Sequence, residues 1–133
     1  MIRLFAAIAV PEEIGEPLLR RQHGLPGARW RPLEALHITL RFFGDVQERV
    51  AEDLDLELER ITSSPFGLSL ESVGAFGEGS EIHAVWAGVA ESAPLRVLAG
   101  RCETAARRAK LTADSRAYRP HVTLAYLRRL AVD

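Results

Sequence analysis

Leu36-His37-Ile38-Thr39-Leu40-Arg41-Phe42-Phe43-Gly44 decides how this chain reads, together with His121-Val122-Thr123-Leu124-Ala125-Tyr126-Leu127 near its end. Both alternate in the period of a β-strand, where successive side chains point to opposite faces. In the first, His37, Thr39, Arg41 and Phe43 fall on one face and Leu36, Ile38, Leu40 and Phe42 on the other. The second face is wholly apolar and is expected to meet helices. In the second stretch His121, Thr123 and Ala125 share a face, opposite Val122, Leu124 and Tyr126. Each strand therefore presents a histidine and a threonine side by side.

Outward from these strands the chain repeats itself. An apolar strand (4–10), a helix (about 12–22) and Arg31-Pro32 lead to His37-Ile38-Thr39-Leu40. A strand (82–89), a helix (about 94–109) and Arg119-Pro120 lead to His121-Val122-Thr123-Leu124. Two such lobes about a pseudo-twofold axis would turn both His-x-Thr faces toward one cleft. The chain has four histidines, and threonine stands at five of 133 positions, so a given histidine meets a threonine two residues on about one time in 27. Two matches at corresponding places are a signal that one would not be.

The remaining elements follow ordinary signals. Pro11-Glu12-Glu13 opens a helix with acids at its positive end. Arg29-Trp30-Arg31 is a short extended piece before Pro32. Asp45 and Glu48 resemble a capping box ahead of Val46, Val50, Leu54, Leu58 and Ile61 at helical spacing. Residues 66–76 and 82–89 read as strands around Gly77-Glu78-Gly79-Ser80. Ser92 and Pro94 open a helix with Leu95, Leu98, Cys102, Ala105 and Ala109 inward, and 112–119 is a polar connector.

Composition fits one globular domain: 47% hydrophobic, 26% charged, net charge −1. That balance demands neither a membrane nor a nucleic acid. It conceals an acidic middle, with eleven acids and two bases over 45–91, and a basic end, with nine bases and two acids over 96–129. Cys102, the sole cysteine, excludes an internal disulfide and suits a reducing cytoplasm. The opening apolar run is too short to span a membrane and reads as a strand rather than a leader. Two histidines with no clear third ligand fall short of a zinc site, so neither metal nor cofactor is expected.

Histidine titrates near neutral pH, so one ring can take a proton while its twin gives one. Placed on opposite sides of a phosphorus centre, His37 and His121 would be the base and acid of a phosphoryl reaction. Thr39 and Thr123 would donate to non-bridging oxygens, and Arg41 would add charge to the phosphate. Arg41 beside His37 disfavours protonation of that ring and weakly nominates it as the base.

At these residues the chain resembles the two-histidine phosphoesterase superfamily, and within it the bacterial and archaeal RNA 2′,3′-cyclic phosphodiesterases, long called 2′-5′ RNA ligases. RLFAAIAVPEEI (3–14), RWRPLEALHITLRFFGDV (29–46), GAFG (74–77), VWAGV (85–89) and RPHVTLAYLRR (119–129) carry the likeness over nearly the whole chain. The resemblance implies a bilobal α+β fold with two antiparallel sheets flanking a central cleft and helices outside. It implies His37, Thr39, His121 and Thr123 as the catalytic set, metal-independent hydrolysis of RNA ends to 2′-phosphates, and reversible 2′-5′ ligation. The expected partner is RNA bearing a 2′,3′-cyclic phosphate or a 2′-5′ linkage. Family chains run several tens of residues past the second motif, so the second lobe is expected to be incomplete at its C-terminus. A monomer is implied by the family; a dimer or strand exchange is the alternative that an uncapped sheet edge invites.

Arg119 and Phe43 are further candidates for RNA contact, through the backbone and by stacking, while His23 and His83 read as exposed or structural. Two other functions stay open: a two-histidine phosphoesterase for small cyclic nucleotides, and a catalytically weak module that binds RNA ends.

Overall fold

A computed structural model of the chain describes residues 1–127. Arg128 and Arg129, counted above in the basic end, lie outside the described residues. The elements are β1 (Ile2–Ala9), α1 (Glu12–Leu19), β2 (Ala28–Trp30), β3 (His37–Val46), α2 (Glu48–Glu59), β4 (Leu70–Phe76), β5 (Ala84–Val89), α3 (Ala93–Arg108) and β6 (His121–Leu127). Single 3-10 turns at Leu33–Ala35 and Gly79–Glu81 complete them. The architecture is α+β, with strands in the order β1-β3-β6-β5-β4 and β2 also against β6. The pairings of β6 with β2, β3 and β5, and of β4 with β5, are all antiparallel. Among the described residues no helix is long and apolar enough to cross a membrane.

Contacts divide the chain into two compact units, and the chain passes between them inside β1 and inside β3. One unit comprises Met1–Ala7, Thr39–Leu68 and Glu91–Arg119. Its core is Leu54, Ala105 and Ala109, with Leu4, Phe43, Leu58, Ile61 and Leu111 packed against them. The spacing of Val50, Leu54 and Leu58 puts one stripe of α2 on α3, and Leu54 is 1% exposed. The small side chains of α3 make that approach close: Ala99, Cys102, Ala105 and Ala106 are buried. Ser92 caps α3, its hydroxyl accepting from the Leu95 N–H at 3.2 Å. The capping box expected from Asp45 and Glu48 does not form. Asp45 still belongs to β3, and the N-cap is Gln47, whose side chain makes no capping hydrogen bond.

The other unit holds Ile8–Ile38, Ser69–Ala90 and the stretch from Pro120. Here β5 lies between β4 and β6, with a register shift between Val85 and Trp86. The expected strand 66–76 begins only at Leu70, and α1 ends at Leu19 rather than near 22. Gly15 is buried in α1 because a Cβ there would lie 2.2 Å from Leu33 Cδ1. The sequence repeat has a counterpart in hydrogen bonds. The Val10 N–H donates to the Leu36 carbonyl at 3.1 Å, and the Val89 N–H to the Pro120 carbonyl at 3.3 Å. Each bond fixes the residue just before a motif histidine.

Candidate active site

The second unit contains both motif histidines. His37 is the first residue of β3 and His121 the first of β6. The two strands meet in antiparallel register at Ile38 opposite Val122. Val122 is fully buried and Ile38 4% exposed, so this pair anchors the junction. Alternation then puts His37, Thr123 and His121 on the face opposite Ile38 and Val122, with His37 level with Thr123. Both histidines are half-buried.

The surroundings of the two rings differ. Burial is the main cause that holds His37 below its ordinary pKa of 6.5; a hydrogen bond to the Ala35 backbone works against it, and the charges of Arg31 and His121 add to it. His37 is therefore a neutral ring near pH 7, able to accept a proton. Arg31 is placed by its backbone N–H, which donates to the Leu124 carbonyl at 2.8 Å, and its guanidinium lies 5.4 Å from the centre of the Tyr126 ring.

His121 stands instead against aromatic rings. Phe76 meets it edge-on, with centroids 5.1 Å apart and planes at 80°, and Trp86 lies 6.2 Å away. Trp86 sits opposite Thr123 in the ladder, and Gly88 opposite His121. The indole fits because Gly74 faces it: a Cβ there would come within 2.4 Å of the ring. Phe76, Trp86 and Arg31 were not picked out as site residues by sequence reasoning. The glycines at 74 and 88, inside otherwise apolar strands, were the available signal of a close approach.

Thr39 follows His37 on the same face of β3 and opens the Thr39–Leu68 segment of the other unit. Its carbonyl accepts from the Tyr118 hydroxyl at 2.8 Å. Burial pushes that hydroxyl up to about 12, so it remains a donor at any physiological pH.

Two expectations are revised. Arg41 donates to Glu103 at 2.6 Å, to the Thr112 carbonyl at 2.8 Å and to the Phe42 carbonyl at 2.5 Å, and its side chain is 9% exposed. It ties β3 to α3 and the connector instead of presenting a cation to a phosphate. Phe43, half-buried, packs against the Leu54–Ala105–Ala109 core, with the Arg41 guanidinium 5.5 Å from its ring centre; this is a packing role where an RNA contact was expected. The reason is common to both. Beyond Thr39 the helices cover the His37 side of β3, while Phe42, on the side expected to be buried, is 40% exposed and stacks on Phe5. Arg119 is exposed beside Pro120. His83 is exposed and stacks on Phe76.

Comparison with known proteins gives concordant results. A family model described as the 2′-5′ RNA ligase superfamily matches residues 10–132. The chain is 33% identical to the RNA 2′,3′-cyclic phosphodiesterase of Archaeoglobus fulgidus, over 96% of this chain and 74% of that protein. It is 32% identical to that of Geobacillus stearothermophilus, over 91% of this chain but 40% of that longer protein. Among solved structures it resembles Escherichia coli LigT in apo form, with a TM-score of 0.80 and 32% identity over 98% of this chain and 75% of that one. The likeness extends to LigT complexed with 3′-AMP, at a TM-score of 0.79 and 30% identity over 98% and 77%.

Proposed function

Because the chain belongs to the 2′-5′ RNA ligase superfamily, we propose that it hydrolyses RNA 2′,3′-cyclic phosphate ends to 2′-phosphates, with His37 as general base and His121 as general acid. The observation that carries the reading is the β3–β6 pairing at Ile38 and Val122, which brings two histidines far apart in the sequence onto one face. Relatives bearing the name RNA 2′,3′-cyclic phosphodiesterase, and LigT crystallised with 3′-AMP, support an RNA end as the substrate class.

Neutral His37 removes a proton from water, whose oxygen attacks phosphorus. The bond from phosphorus to the 3′ oxygen breaks, and His121 delivers the proton that this oxygen needs. The product carries a 2′-phosphate and a free 3′ hydroxyl, and the two rings have exchanged protonation states. The charge of His121 adds to the burial that disfavours protonation of His37, which keeps the base neutral. Thr123, level with His37, and Thr39 donate hydroxyl protons to the non-bridging oxygens. A strained cyclic diester requires no further electrophile, so the reaction proceeds without metal. Run in the same direction with the 5′ hydroxyl of a second RNA in place of water, the same pair accounts for 2′-5′ ligation: the new bond joins that oxygen to phosphorus as the bond to the 3′ oxygen breaks. Arg119, exposed beside Pro120, is the proposed contact to the RNA backbone.

The test is incubation of a short RNA ending in a 2′,3′-cyclic phosphate with the chain in excess EDTA. A 2′-phosphate product, formed at an undiminished rate under chelation, is the expected result. A 3′-phosphate product, or loss of activity restored by a divalent ion, would contradict the mechanism.

A further inference from the structure

We infer that the first unit carries a second anion site, a cavity beside the C-terminal end of α2 in which Arg60, Arg101 and Arg108 hold a phosphate group. The cavity measures about 250 Å³, and Glu57, Thr62 and Thr104 complete its polar lining. Only two bases stand between residues 45 and 91, Arg49 and Arg60. The basic character therefore arises where α3 brings Arg101 and Arg108 to Arg60.

The lining carries an excess of positive charge. Three guanidiniums face one carboxylate, Glu57. The α2 C-terminus contributes roughly half a negative charge, which leaves an excess of between one and two positive charges. Nor does Glu57 satisfy its neighbours. Arg60 Nη1 is 3.5 Å from its Oε1 and Arg108 Nη1 is 3.8 Å from its Oε2, and Oε2 is buried without a hydrogen bond. Arg101 donates to the Thr62 carbonyl at the rim. The side chains of Arg60 and Arg108 are 72% and 62% exposed, so both can turn toward a ligand.

Guanidinium forks match the tetrahedral oxygens of phosphate, and they are the usual choice where such a group is recognised. Size narrows the ligand further. A cavity of this volume lies below the usual range for drug-sized ligands, about 300–1,000 Å³. It is ample for a phosphate group with water. That group can be inorganic phosphate or a backbone phosphate of RNA.

The experiment is calorimetric titration with inorganic phosphate of protein carrying His37→Ala and His121→Ala, which removes binding at the two-histidine site. Adding Arg60→Gln and Arg108→Gln, both on exposed side chains, is expected to weaken the remaining binding on the order of ten-fold for each guanidinium. Glu57→Gln is expected to tighten it, since the competing carboxylate charge is gone. If the arginines serve only as counter-charges to Glu57, the double arginine substitution leaves phosphate affinity unchanged and Glu57→Gln fails to raise it; either result overturns the site. In the otherwise wild-type chain, Arg60→Gln with Arg108→Gln identifies the source of the phosphate. A KM raised for a long cyclic-phosphate RNA but not for a dinucleotide marks an RNA backbone site. An unchanged KM for both, with inorganic phosphate binding lost, marks a free-phosphate site.

Discussion

The two His-x-Thr strands start from the same four-residue pattern and end in different surroundings. At His37 the strand runs into the helical unit: Arg41 is spent on Glu103 and the connector, and Phe43 on the core. At His121 the strand stays in its sheet, with Ala125 fully buried and Phe76 and Trp86 against the ring. One histidine is thus held neutral by burial beside a cation, while its twin is packed edge-on by an aromatic ring. The repeat presents two similar imidazoles, and the packing around them is unequal; on the proposed mechanism that inequality separates base from acid.

The largest effect that would break this comparison is loss of either ring. His37→Ala and His121→Ala are each expected to lower kcat about 10²–10⁴-fold, the usual worth of a positioned acid or base, read as initial rates of cyclic phosphate opening. If only one substitution matters, the pair is not a pair. Next comes Arg41→Met, which leaves Glu103 in a half-buried position without its main donor. A loss of about 2–4 kcal/mol in denaturant unfolding is expected, with kcat and KM of the remaining folded protein unchanged. A raised KM at full stability would return Arg41 to the phosphate.

Burial would raise the Glu103 carboxyl, but the hydrogen bonds from Arg41 and the Asp114 N–H hold it below its ordinary 4.5. Its contribution is therefore complete above pH 4.5 and declines as pH falls through the lowered value. Acid unfolding of the Arg41→Met chain is expected to show a weaker dependence, since the Asp114 N–H and Arg107 still hold the carboxylate. Smaller again is Thr123→Val, expected to cost about ten-fold in kcat with little change in fold; equal rates would remove the hydroxyl from the phosphate. The smallest is Arg31→Gln. Removing that charge raises the His37 pKa, so the rising limb of the kcat/KM profile shifts to higher pH, while a limb that stays in place would detach Arg31 from the site.

Much of this was legible in the letters because the signals were local. The strand His121–Leu127 and the Ser92 cap of α3 needed only alternation and a capping residue. The extended piece before Pro32 appears as β2. What stayed hidden depends on distant partners. Alternation assigns side chains to faces but cannot tell which face a helix will cover, and on β3 the covered side changes after Thr39. Arg41 resembled a phosphate ligand because Glu103 lies 62 residues away. Phe76 and Trp86 became neighbours of His121 only once the β4–β5–β6 register was in place.

The most direct test of the central claim is the pH dependence of kcat/KM for cyclic phosphate hydrolysis by wild type and by His37→Ala. The account predicts a bell for wild type whose rising limb lies below pH 6.5, where burial places the titration of His37, and a residual rate in His37→Ala that has lost this limb. A rising limb that survives the substitution unchanged would contradict the assignment of His37 as the base.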